Sequence, residues 1–117
     1  MTTPETLEIA VPSGQVIRFL DVVTDAPGPD GPTVRYRFLA PAIARLGGSV
    51  EFDTAAADML HLCQSYVLPL LDQSLPPSQI VISLSDRPVP FGEAAPDATQ
   101  FFEAYRLEDG RCIWEAF

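Results

Sequence analysis

Asp58, His61 and Cys63 stand together in the run DMLHLCQS, which holds the chain's only histidine. An imidazole near a thiol can activate a nucleophile, and imidazole, thiolate and carboxylate can together hold a metal ion. The spacing opposes both. Residues two apart on a helix of 3.6 residues per turn point about 200° apart, and only partners three or four apart share a face. Asp58 and His61 meet that condition, but no second histidine and no CxxC pair accompanies them, so no zinc site is expected. The second cysteine, Cys112, sits in a run with aromatic neighbours, where a thiol is usually inert. The stretch reads as one turn of helix, with its sulfur toward a core and Asp58 and His61 off the apolar stripe.

Other catalytic patterns are missing as well. SLSDRP puts Ser85 beside Asp86 without a nearby histidine, and no GxSxG elbow is present. All seven basic residues are arginines, so Schiff-base catalysis by lysine and the P-loop lysine are both excluded. No GxGxxG loop offers a nucleotide site, and sixteen acidic residues give too many carboxylate pairs for any one to be informative. No catalytic residue, metal or cofactor is therefore assigned. The residues best placed to bind something are Asp86, Arg87 and Phe91 in the irregular DRPVPFGEAAPD segment, residues 86–97, together with Arg35 and Arg37. Arginines in an acidic protein can anchor a ligand carboxylate or simply pair with neighbouring acids.

These groups must be positioned by the elements around them. LEIAV at 7–11 and VIRFLDVV at 16–23 are β-rich runs separated by the PSGQ turn, and predict a hairpin. APGPDGP at 26–32 reads as a surface loop able to sustain neither helix nor ladder. In VRYRFL at 34–39, Val34, Tyr36 and Phe38 point to one face and Arg35 and Arg37 to the other, wet face. PAIARLGG at 41–48 suggests a short helical turn, and SVEF a brief extended segment.

The main helix is expected over about 54–71, capped by Asp53 or Thr54. Ala56, Met59, Leu60, Cys63, Val67, Leu70 and Leu71 form its apolar stripe, and Pro69 should kink or end its last turn. After the SLPPSQ breaker, QIVISLS at 79–85 is a strand with Ile80, Ile82 and Leu84 inward. DATQ at 97–100 could cap a short helix over 97–104. The stronger signal is Asp109-Gly110, the turn of a C-terminal hairpin in which Glu108 faces Arg111, Leu107 faces Cys112 and Tyr105 faces Trp114. Both faces of that hairpin read as largely buried, with Phe102, Ala104, Ile113 and Phe117 on the second. Taken together, these elements predict an α+β fold: an antiparallel sheet of about five or six strands packed against one main helix.

A chain of 117 residues supports one domain, 1–117, with a real core. Hydrophobic residues at 47% and charged residues at 20% are ordinary globular usage, and no apolar run approaches a bilayer span, so a soluble protein is expected. The net charge of −9 repels phosphate backbones and sets nucleic acid aside as a partner. The opening MTTPETLEIA has neither a basic segment nor an apolar h-region. The chain as given therefore reads as cytoplasmic, or as periplasmic if an export signal was removed. A helix laid on the sheet could bring Cys63 against Cys112. In an oxidising compartment the two would form a disulfide, and in a cytoplasm they would remain core thiols.

The runs VPSGQ, RYRFLAPAIA, ADMLHLC, QIVISLSDRPVPFG and TQFFEAYRLEDGRCIWEAF resemble a family of short bacterial proteins of unknown function, over nearly the whole chain. Family members often begin with an export signal and carry both cysteines, so the resemblance implies an envelope setting and a disulfide. Some members bear the label acetolactate synthase, an enzyme that needs thiamine diphosphate and a chain several times longer. The resemblance brings no catalytic residues to transfer.

The combined expectation is a domain that buries Met59, Cys63, Val67, Ile82, Tyr105 and Trp114 and acts as a non-catalytic binding or structural module for an unknown protein or small-molecule partner. An enzyme or enzyme accessory using the 86–97 loop is the alternative. A homo-oligomer formed through a sheet edge or the C-terminal aromatics is a third possibility.

Overall fold

The computed structural model describes residues 8–28, 31–44, 48–71, 77–90, 93 and 95–115. Phe91, Phe117 and the first half of the SLPPSQ breaker, all invoked above, lie outside the described residues. Five strands, β1 (Arg18–Gly28), β2 (Gly31–Leu39), β3 (Gln79–Ser85), β4 (Gln100–Glu108) and β5 (Arg111–Glu115), form one sheet in sequence order, with helix α1 (Phe52–Leu62) in the long connection between β2 and β3.

The sheet is mixed rather than wholly antiparallel. β2 and β3 run parallel, in register from Thr33 with Gln79 to Leu39 with Ser85, and every other neighbouring pair is antiparallel. Parallel neighbours cannot be joined by a tight turn and need a crossover, which here contains α1. The central position of β3 also explains its composition. Ile80, Ile82 and Leu84 pack under the helix, while Val81, Ser83 and Ser85 are buried on the opposite face, so the strand has no wet side.

The predicted hairpin between residues 7–11 and 16–23 is reduced to a bridge of Glu8 with Arg18, reinforced by the Ile9 N–H donating to the Ile17 carbonyl at 2.8 Å. β1 instead pairs with β2, and the ladder runs into the segment assigned to a surface loop, where Ala26 faces Thr33 and Gly28 faces Gly31. Proline and glycine are tolerated there because β1 is an edge strand and this is the far end of its ladder, at the sheet's margin. The 41–48 segment makes a single 3-10 turn at Pro41–Ile43, and residues 48–50 form no strand. Residues 97–104 carry no helix, because β4 begins at Gln100.

α1 starts two residues earlier than expected. Glu51 occupies the N-cap without a side-chain cap bond, and Asp53 lies in the first turn, where its charge favours the positive end of the helix dipole. The helix then widens through a π turn at Cys63–Val67, in which the Leu68 N–H reaches the Cys63 carbonyl, and closes as a 3-10 turn at Leu68–Leu70. Pro69 has no N–H to continue an α ladder, so the helix ends here as its sequence requires. The buried side is Ala55, Asp58, Met59, Leu62, Cys63 and Val67, rotated by about one residue from the expected stripe. Leu60 and Leu70 are exposed instead, at 44% and 60%.

Asp58, expected to face water, is fully buried. Its carboxylate accepts the Ser13 N–H at 3.0 Å, the Ser13 hydroxyl and the Gln15 side-chain N–H at 2.7 Å, docking the PSGQ turn on the helix. Gly14 gives that turn its positive φ of 80°. Below the helix, Met59, Leu62, Cys63 and Val67 meet Phe38, Ile80, Ile82 and Tyr105 in one apolar cluster.

The C-terminal hairpin has the predicted register, Glu108 with Arg111, Leu107 with Cys112 and Tyr105 with Trp114. Asp109 and Gly110 take φ of 53° and 75°, as a two-residue turn demands. Its burial differs from expectation: Trp114 is 57% exposed and Phe102 50%. β5 is an edge strand; the π turn packs on it at Cys112, and Trp114, two residues on, stays open to solvent. Cys63 and Cys112 lie with their sulfurs at disulfide bonding distance and their Cα atoms 6.3 Å apart, joining the π turn to β5.

Candidate functional site

The residues singled out from sequence fall into two groups. Arg35 and Arg37 lie on the sheet face opposite α1, but Arg37 is only 6% exposed rather than wet. Its guanidinium donates to Asp21 at 2.8 Å and to the Val89 carbonyl, so it fastens the irregular 86–97 segment to the sheet. Arg35 is half-buried over the Phe102 ring, 5.8 Å from its centroid, and its pKa is lowered by burial and by Arg37 beside it.

Asp86 and Arg87 do form a pair, with Nη2 to Oδ2 at 3.1 Å. The Asp86 side chain is nearly buried, which alone would raise its pKa. The Arg87 hydrogen bond, the Thr99 N–H at 2.9 Å and the Arg87 charge outweigh that burial and hold the carboxyl below its ordinary value. Asp86 therefore closes the base of the 86–99 segment, and the Arg87 guanidinium lies toward solvent. The 86–97 candidates are thus divided between a structural clamp and an exposed cation.

His61 and Cys63 do point apart. Cys63 is fully buried in the disulfide, while the partly buried His61 lines a shallow hollow of about 430 Å³ with Gln64, Arg111 and Cys112. No group of three or more His, Cys, Asp or Glu residues able to hold a metal ion occurs among the described residues.

A different surface emerges on the helix side of the sheet. Phe52, Ala56 and Leu60 recur every fourth residue along the flank of α1 that overhangs β4 and β5. With Glu103, Tyr105 and Trp114 they line an almost wholly apolar groove of about 390 Å³. Phe52 is 43% exposed and is held edge-on against Phe101, ring centroids 5.2 Å apart at 83°. On the opposite wall the Trp114 indole N–H donates to the Glu103 carboxylate, fixing both side chains. Tyr105 forms the floor, buried to 1%, and burial followed by the charge of Glu103 raises its pKa well above the usual tyrosine value.

From sequence, Ala56 and Leu60 read as part of the helix's apolar stripe, Tyr105 and Trp114 as core, and Phe52 as the end of a brief extended segment. The available signal was Leu60 and Ala56 at the margin of the stripe together with a tryptophan on the last strand of the chain, where an edge is expected. A wider hollow of about 680 Å³ lies at the N-terminal end of α1, with Ser49, Glu51, Thr99 and Gln100 among its lining residues.

A family model matches residues 1–117 in full. The chain belongs to DUF6497, a family of unknown function. Neither the curated proteins nor the solved structures contain a match to it. Family membership therefore brings no assigned chemistry to the groove, and its role rests on its own geometry. Among the described residues no helix is long and apolar enough to cross a membrane.

Proposed function

We propose that this chain is a non-catalytic binding module that takes an apolar portion of its partner into the groove between α1 and the β4–β5 hairpin. The observation that carries the reading is the exposure of Phe52, Leu60 and Trp114, three large apolar side chains, around one trough. Single exposed apolar residues are ordinary, but a contiguous apolar concavity walled by fixed aromatic rings is how ligand and partner sites are built. The wall is rigid for identifiable reasons: the disulfide ties the helix to β5, and the indole is tethered to Glu103. A cystine at that position supports work in an oxidising compartment, since cytosolic thiols are kept reduced.

Trp114 is the chain's only tryptophan, so its emission reports on the groove directly. Titration with decyl maltoside below its micelle concentration, a neutral alkyl probe, is expected to give a saturable blue shift that Leu60→Glu removes. A linear, unsaturable response in the native protein would overturn the reading.

A second reading, an enzyme or enzyme accessory, draws support from the hollow beside Thr99, where Glu51 supplies a carboxylate near the end of the 86–99 segment. It requires a ligand whose binding is lost in Glu51→Gln and untouched by Leu60→Glu.

A further inference from the structure

We infer that the partner engaged by this groove is a basic, aliphatic segment of another protein, in which a lysine or arginine reaches Glu103 while flanking aliphatic side chains fill the trough; this rests on the groove reading above. Three features on the structure lead there. The first is charge. Glu103 is the charged residue among those lining the groove, and it stands in a chain of net charge −9 whose field attracts cations and repels anions.

The second is the aromatic setting of that carboxylate. Trp114 donates its indole N–H to Glu103, so the carboxylate is held in a fixed place on the groove wall, where a cation can meet it without first ordering the side chain. The neutral Tyr105 beneath adds no competing charge, because its pKa is raised by burial.

The third is shape. Phe52 to Leu60 spans eight residues of helix, about 12 Å at 1.5 Å per residue. That length matches roughly three or four residues of extended chain at about 3.3 Å each, enough for a cationic side chain between two aliphatic ones. Leu60 and Ala56 take the aliphatic groups along the helix, and Glu103 takes the charge across from them. The apolar contacts supply affinity and the single carboxylate supplies discrimination, the usual division at interfaces with a buried apolar centre.

The test uses the full chain and three short peptides of equal length, alternating leucine with lysine, leucine with glutamate, and serine with lysine, each titrated against Trp114 emission. The leucine–lysine peptide is expected to bind at least about tenfold more tightly than either other peptide. Glu103→Gln keeps an acceptor for the indole N–H, and it should weaken that peptide about fivefold or more. Asp109→Asn makes the same change in net charge at the hairpin turn and should leave the affinity within about twofold.

Equal losses in Glu103→Gln and Asp109→Asn would mean that net charge alone attracts the peptide, and the inference falls. Equal binding of the lysine and glutamate peptides, or of the leucine–lysine and serine–lysine peptides, overturns it too. If decyl maltoside still saturates the groove in those cases, only the identity of the partner is wrong. If it does not, the groove itself is not a binding site.

Discussion

Cys63, on the widened turn that ends α1, and Cys112, on edge strand β5, are joined across a sequence separation of 49 residues. Closing a loop of that length restricts the unfolded chain by on the order of 4 kcal/mol. Replacing both with alanine is expected to lower unfolding free energy by about that amount, plus the cost of whatever cavity the two buried sulfurs leave after repacking. Denaturant unfolding with and without a reductant checks it, and reduction should add the mass of two hydrogens. The same bond holds one wall of the groove, so reduced protein should also lose the saturable Trp114 response at alkyl concentrations that saturate the oxidised form.

Asp58 joins helix α1 to a turn more than forty residues earlier in the chain, through Ser13 and Gln15. Asp58→Ala leaves these donors in a buried place without their acceptor, and is expected to cost about 3 kcal/mol. Asp58→Asn keeps one acceptor oxygen but sets an amide N–H against donors, so it should fall between alanine and the native residue. Urea unfolding gives the order. Hydrogen exchange at the Ser13 amide gives the mechanism, since exchange there should quicken in Asp58→Ala before the sheet amides respond.

What could and could not be read from sequence follows from the range of the interactions involved. Asp109-Gly110 revealed its hairpin because the positive φ at both positions is a local requirement, and the strand pairing follows from the turn. The helix through residue 70 was legible for the same reason, its spacing and Pro69 being local. Asp58 was misread because helical periodicity assigns a carboxylate to water unless its partner is known, and that partner lies far away in sequence. The parallel pairing of β2 with β3 was missed although QIVISLS carries its trace: an uncharged strand with Val81 apolar on the face opposite Ile80 and Ile82, following a helix, fits a central parallel strand. The groove escaped because Trp114 was counted as core, and only the edge position of β5 leaves it exposed. Arg37 escaped because clean alternation marks opposite faces but does not say whether a distant loop, here at Val89, will cover one of them.

Asp86 makes the fold sensitive to acid. Its folded pKa lies below the ordinary 3.8, so the unfolded state binds its proton first as pH falls. The contribution to stability is complete above 3.8 and is lost as pH falls through the depressed folded value. Removing the carboxylate also unpairs the Thr99 N–H, and Asp86→Ala is expected to cost about 2 kcal/mol at neutral pH. The stability difference between native and Asp86→Ala proteins, followed by urea unfolding from neutral pH down to about pH 3, should narrow at the acid end. A difference that stays constant across that range would show that the charge on Asp86 does not matter to the fold.

Tyr105 and Tyr36 impose the opposite limit at high pH. Burial raises both phenols above the ordinary 10.0, with Glu103 adding to Tyr105 and Tyr66 to Tyr36. Because folding favours their neutral forms, the stability they contribute is complete below 10.0 and declines as pH rises beyond it, where the unfolded chain ionises and the folded one does not. Absorbance of the phenolate should accordingly show delayed titration in the folded protein and full titration once the chain unfolds. Tyr105→Phe keeps the ring that floors the groove and removes the ionisable hydroxyl, so it should reduce the alkaline loss of stability while leaving decyl maltoside binding intact. An alkaline unfolding curve identical to that of the native protein would assign the limit to Tyr36 or to another group, whereas loss of probe binding would mean that the hydroxyl, and not the ring alone, shapes the floor.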